Sequence, residues 1–107
     1  VRMADPVWLM VMFDLPVKTK NERKLANRYR HVLLDLGFDR MQLSVYAKYY
    51  LNGNATGSDL FRLQVEVPPG GAIRIMRFTD AQWAGSIRHL GPEVQQMEEK
   101  PKALDIF

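Results

Sequence analysis

Cysteine is absent from all 107 residues. No disulfide can staple this chain, and no thiolate can bind a metal or attack a substrate. A reducing, cytoplasmic setting is the expectation that follows. Histidine is scarce: His31 and His89 are the only two, without the His/Asp/Glu spacing of a zinc site. Long apolar runs are missing as well. The longest, Val7 to Phe13, falls far short of the roughly 20 residues that cross a bilayer. It also lacks the basic flank and small-residue cleavage site of a signal peptide, so no membrane partner is expected. There is no P-loop, no glycine-rich dinucleotide motif, no arguable nucleophile–histidine pair and no internal repeat.

What is present suits one soluble domain. Hydrophobic residues make up 47% and charged residues 25%, an ordinary globular balance, and the length leaves no room for a second core. The net charge is only +3, but it is unevenly spread. Lys18, Lys20, Arg23, Lys24, Arg28, Arg30 and Arg40 fall in one short stretch, while Glu93, Glu98 and Glu99 gather near the end. Such a basic cluster can neutralise phosphates, which suggests nucleic acid. A solvated helix face has the same composition, and charge alone leaves both readings open.

Val7 to Phe13 reads as a central strand buried on both faces, stopped at Asp14-Leu15-Pro16 because proline has no N–H to donate. Thr19 and Glu22 form a capping box. The helix behind it places Leu25, Tyr29, Val32 and Leu36 on one stripe, widened by Ala26 and Leu33, and Gly37 suits its C′ position. Alternation from Phe38 to Leu51 predicts one long strand, long enough to expect a bend or hairpin inside it. Asn52-Gly53-Asn54 is a turn. Thr56 or Ser58 is expected to cap a second helix carrying Leu60, Leu63 and Val67 and ending at Pro68-Pro69-Gly70-Gly71. Ala72 to Thr79 reads as a strand, Thr79 to Gln82 as a turn, and Ser86 to Leu90 as a last short strand.

That order gives an α+β fold, a ferredoxin-like βαββαβ sandwich with an extra C-terminal strand. Residues 1–90 form the expected domain, and 91–107 a flexible or partner-binding tail. Two helices cover one face of the sheet. Trp8, Met10 and Met12 make the other face apolar too, and a homodimer packed sheet to sheet would cover it.

Three pieces carry a family resemblance: Met12-Phe13-Asp14-Leu15-Pro16, the basic helix after it, and Gly37-Phe38-Asp39-Arg40-Met41-Gln42-Leu43-Ser44-Val45-Tyr46. Together they resemble the CRISPR-associated protein family two, the small adaptation protein that partners the spacer integrase. The likeness runs from Val7 to Leu90. Leu9 to Tyr46 and the closing Leu104-Asp105-Ile106-Phe107 look most similar to members from single-effector (type II) systems. The resemblance implies a homodimer that binds duplex DNA, RNA being the other substrate, and bridges the integrase. It also implies a hairpin corner at Gln42-Leu43-Ser44 and a last strand that pairs with the partner's sheet.

Asp14 is the candidate catalytic residue and metal ligand. In the family the matching aspartates of two subunits face each other, and a shared Mg²⁺ would relieve their repulsion and supply an activated water. The alternative is a turn residue accepting local N–H bonds. Phe13, Arg28, Arg40 and Tyr46 match positions that the family associates with nuclease activity. Phe13 stands where tyrosine is commoner, and core packing is the better account of both Phe13 and Tyr46. Lys18, Lys20, Arg23, Lys24, Arg28 and Arg40 are the candidate nucleic-acid-binding residues; the first four surround a helix N-terminus, which itself favours phosphate. The terminal Leu-Asp-Ile-Phe reads as an apolar hook for the integrase or as a disordered end.

Overall fold

The computed structural model describes residues 5–92. Four strands form one antiparallel sheet in the order β2-β3-β1-β4: β1 (Val7–Asp14), β2 (Asp39–Gln42), β3 (Val45–Tyr50) and β4 (Ala72–Phe78). Helix α1 (Lys20–Asp35) follows β1, α2 (Gly57–Val65) joins β3 to β4, and a short α3 (Asp80–Ala84) follows β4. The strand order and the two crossover helices are the ferredoxin-like α+β arrangement. No helix among the described residues is long and apolar enough to cross a membrane.

β1 is central because nearly every residue in it wants burial. Val7, Leu9, Val11 and Phe13 face the helices, where they pack with Ala26, Tyr29 and Leu33 of α1, Phe38, Tyr46 and Tyr50 of the hairpin, and Leu63 of α2. Fully burying one such aliphatic or aromatic side chain contributes about 1.5–3 kcal/mol, so this cluster dominates the stability of the fold. Tyr29 also donates its hydroxyl to the Leu63 carbonyl at 2.8 Å, tying α1 to α2 in the interior. Burial pushes the Tyr29 phenol up to about 12, with the Glu66 carboxylate adding to the rise.

The caps of α1 follow the sequence pattern. Thr19 accepts from the Glu22 N–H, and Glu22 reaches back to the Thr19 N–H. At the other end Gly37 adopts φ +92°, and the Gly37 and Phe38 N–H groups bond back to Leu34 and Leu33. This is a Schellman closure, which a left-handed glycine permits at little cost. Lys48 completes it. Its ammonium donates to the Leu36 carbonyl at 2.6 Å and to Asp59 at 2.8 Å, so one cation binds the end of α1 to the start of α2.

Of four expectations the hairpin holds, two change, and the last strand, expected against a partner, does not form within one chain. The segment from Phe38 to Leu51 is a hairpin, with Gln42 opposite Val45 and a register irregularity between Arg40 and Gln42. A two-residue corner keeps the apolar alternation in phase, which is why pattern alone reads one strand. The corner lies at Leu43-Ser44, where the resemblance puts it, and Leu43 is 67% exposed there. Thr56 makes no side-chain cap for α2; its hydroxyl donates to the Gly53 carbonyl and accepts from Arg77 instead. Thr79 to Gln82 is a second capping box, and it starts α3 rather than a bare turn. Ser86 to Leu90 joins no strand within the single chain, because α3 carries the backbone across the sheet face instead of back along an edge.

The face opposite the two long helices is half covered. Trp8, fully buried, lies with Ala47 among Met41, Tyr49, Phe78 and Trp83. Met10 and Met12 are only partly buried, and Met76 is 39% exposed.

Candidate nucleic-acid interface

Asp14 is the last residue of β1 and is exposed. It lies opposite Ala72, the first residue of β4. On its other flank, the Phe13 N–H donates to the Ser44 carbonyl at 3.1 Å, which brings the hairpin corner to the same end of the sheet. Leu15 turns inward and is buried beside Gly71; a Cβ at Gly71 would stand 2.7 Å from the Leu15 side chain. Only glycine allows the approach that fixes the Asp14-Leu15-Pro16 corner.

From that corner the chain enters α1, and the basic residues are set around its start. Glu22 accepts from both the Lys18 and Thr19 N–H groups at 2.9 Å. Arg23 folds back, its guanidinium donating to the Val17 and Lys18 carbonyls at 3.1 and 3.0 Å. Arg23 is thus a clasp for the loop, with its remaining donors open to solvent. Lys18, Lys20 and Lys24 are exposed. Lys20, Lys24 and Arg28 are spaced four residues apart, so they share one ridge of the helix that runs about 12 Å away from Asp14. Arg28 also lines an open groove of about 260 Å³ with Tyr29, Val65 and Pro68.

This placement opposes helix stability. The N-terminal end of a helix carries positive partial charge, so cations there are unfavourable, and like charges four residues apart repel. The one acid in the first turn is Glu22, which is occupied as a cap. An anion seated at this end would reverse both penalties.

The other candidates divide. Arg40 is exposed on the edge strand β2, level with Tyr46 and Val11. That places it about 10 Å short of Asp14 along the strand direction and two strands away, so a single chain does not bring them together. Phe13 and Tyr46 are buried, their ring centroids 5.6 Å apart, with Tyr29 edge-on to Phe13 at 5.9 Å. Both are core residues. Arg30, from the same basic stretch, lies 5.8 Å over the Phe13 ring, so part of the cluster serves packing. Arg74 was not anticipated: it is exposed on β4 opposite Met12, one diagonal step from Asp14. Its signal was the interruption of the apolar run Ala72 to Phe78 by a cation at an outward position.

Among the described residues no group of three or more His, Cys, Asp or Glu could hold a metal. Asp14 is one carboxylate, and Mg²⁺ held by protein needs at least one or two together with waters or phosphate oxygens. The donor chemistry fits Mg²⁺ only where a second Asp14 or a phosphate joins it.

The sheet order and the two long helices on one face define a ferredoxin-like α+β protein, with an exposed carboxylate beside a basic helix end. Comparison with known proteins narrows the class. The family model described as CRISPR associated protein Cas2 matches residues 7–85. The "CRISPR-associated endoribonuclease Cas2" of Paracidovorax avenae is 38% identical over 101 residues, covering 94% of each chain. The protein of the same name from Flavobacterium psychrophilum is 31% identical, over 94% of this chain and 88% of that one. A solved structure titled "Crystal structure of cas2" superposes with a TM-score of 0.58 at 18% identity, over 89% of this chain and all of that one, which supports the fold. The chain belongs to the CRISPR-associated Cas2 family.

Proposed function

We propose that this protein serves CRISPR adaptation as a homodimer that binds duplex DNA without reading its sequence and bridges the integrase. The observation that carries the reading is the concentration of exposed cations at the N-terminal end of α1, where they weaken the helix unless an anion is bound. Contacts of this kind go to phosphates, which are the same in every sequence. That suits capture of DNA of arbitrary origin. Lys18, Lys20, Lys24 and Arg28 contact the backbone, Arg23 does so while clasping the loop, and Arg40 adds charge at the β2 edge.

The half-covered sheet face supports the two-copy arrangement. Met10, Met12 and Met76 leave an apolar area that a second sheet would bury, and Ser86–Leu90 would pair with the partner's sheet. Residues 1–90 act as the domain. The tail from Glu93 to Phe107 lies outside the described residues; its sequence, acidic and then apolar, suits a partner-binding segment. Cytoplasmic localisation accords with a partner of this kind.

Binding of unrelated duplexes of equal length tests the reading. Equal affinities, each falling steeply with salt, are expected. Strong preference for one sequence, or no binding at low ionic strength, would refute it. Co-purification with the integrase, with and without residues 93–107, tests the bridge and the tail.

A second reading rests on the relatives' name, endoribonuclease. Two Asp14 carboxylates about a two-fold axis would hold Mg²⁺ for phosphodiester cleavage of RNA or DNA. Bound there, the ion would supply a Lewis acid and an activated water. Asp14 in this reading is the catalytic and metal-binding residue, and the basic ridge holds the substrate.

A further inference from the structure

The helix side of the molecule carries an apolar groove, away from the sheet face that the two-copy reading gives to a partner. Leu25, Arg28 and Val32 of α1 line one side of it, and Val65 and Pro68 the other. Its volume is about 260 Å³. That is below the roughly 300–1,000 Å³ of small-molecule sites and suits the side chains of a short extended segment. Tyr29 lies along it with its hydroxyl already given to the Leu63 carbonyl, so the wall there is apolar in effect. Val65 is 60% exposed, and Phe61, one turn earlier on α2, is 68% exposed. At i and i+4 the two side chains form one apolar ridge beside the groove.

Charge at the groove is uneven. Glu66 is held by Arg62 at 2.7 Å, whereas Arg28 has no hydrogen-bond or ion-pair partner among the described residues. Lys24 stands one turn before Arg28 and is exposed. Apolar walls beside unpaired cations fit an occupant that is both apolar and acidic. One segment of this chain has that composition. Residues 93–107 carry Glu93, Glu98, Glu99 and Asp105 against Lys100 and Lys102, and Asp105 is set among Leu104, Ile106 and Phe107. Pro92 is the last described residue, and Leu104 follows it by twelve. Extended, that stretch reaches about 40 Å, comparable with the molecule's longest dimension of 41 Å.

We infer that residues 93–107 dock in this groove on their own subunit, with Leu104, Ile106 and Phe107 on the apolar walls and Asp105 facing Arg28. Seated there, the segment covers a cation of the basic ridge and competes with duplex DNA for it. A partner that takes up the segment releases Arg28 for the duplex. The docking stands by itself; the competition rests on the DNA-binding reading above.

The chain has no cysteine, so an engineered pair makes the sole possible disulfide. Val65→Cys with Ile106→Cys, and Pro68→Cys with Leu104→Cys, test the docking in the full chain. Leu43→Cys with Ile106→Cys is the control, because Leu43 is 67% exposed at the β2–β3 corner, on the opposite edge of the sheet from β4. Closure needs Cβ atoms about 3.5–4.5 Å apart. In dilute protein under mild oxidation, at least one groove pair is expected to close within a single chain about tenfold faster than the control or more. Both groove pairs closing no faster than the control overturns the inference. A disulfide between two chains also overturns it, and places the segment on another copy. The closed Val65→Cys/Ile106→Cys protein is expected to bind a labelled duplex about threefold more weakly, or worse, than the same protein after reduction. Equal binding overturns the competition. A reduced protein that ignores the duplex at low salt sinks the DNA-binding reading and leaves the docking to the cross-linking rates.

Discussion

Replacing Lys20 with glutamate should make this protein more stable and a poorer binder of DNA. Lys20 is the first residue of α1 and is exposed. A cation there faces the unpaired N–H groups of the first turn, and each charge–dipole interaction is worth about 0.3–1 kcal/mol. Lys20→Glu removes the unfavourable one and adds a favourable one. It also sets a carboxylate four residues before Lys24, an orientation worth about 0.3 kcal/mol. The sum is about 1–2 kcal/mol of added stability. For a domain of this size that raises Tm by about 4 °C at the least, at fixed protein concentration. The same change deletes one phosphate contact per chain and two per dimer, so the slope of log K against log salt should flatten by about 2. Thermal unfolding followed by circular dichroism and fluorescence anisotropy with a labelled duplex measure the two quantities on one preparation. A variant that is less stable would refute the helix-end argument. One that keeps the wild-type salt slope would remove Lys20 from the interface.

Asp14→Ala separates the two functional readings: spacer acquisition that survives the loss of in vitro nuclease activity favours the adaptor, whereas acquisition lost with dimer and DNA binding intact favours the enzyme. Gly71→Ala should cost about 1–3 kcal/mol by overpacking against Leu15, measured by urea unfolding, with DNA binding weakened because the Asp14 corner shifts; unchanged stability would show that Leu15 has room to move. Tyr29 titrates higher in the folded chain than in the unfolded one, near 12 against an ordinary 10. Its contribution is therefore complete below pH 10 and is lost as the pH rises from 10 through about 12. Tyr29→Phe should remove that part of the alkaline decline in stability, and an unaltered decline over that window would assign it to other groups.

The ferredoxin-like order was legible because each element announces itself locally. The capping box at Thr19 and Glu22, the stripe from Leu25 to Leu36 and the glycine at 37 all act within a few residues, and the backbone obeys them. Asp14 and the basic ridge were legible as a cluster for the same reason, being close in sequence. Arg40 was grouped with them by its place in the same basic stretch and by resemblance, and its two-strand offset from Asp14 emerges only from the register. Arg23 read as a free cation and proved to be a loop clasp, since the carbonyls it meets become acceptors only when the loop turns back. Thr79-Asp80-Ala81-Gln82 has the same box pattern as Thr19, but five residues of helix are too few for periodicity to show.

Short-range chemistry in the sequence alone determined the strand and helix order, the caps of α1 and the basic, carboxylate-bearing character of the segment from Asp14 to Arg28. The three-dimensional arrangement alone decided what meets across distance. It set Trp83 on Trp8, Lys48 between α1 and α2, and Gly71 beside Leu15, and it left half of one sheet face uncovered. The physical reason is that capping and amphipathic periodicity act over one or two turns of chain, whereas packing partners are chosen by strand register and sheet order, which no local pattern encodes.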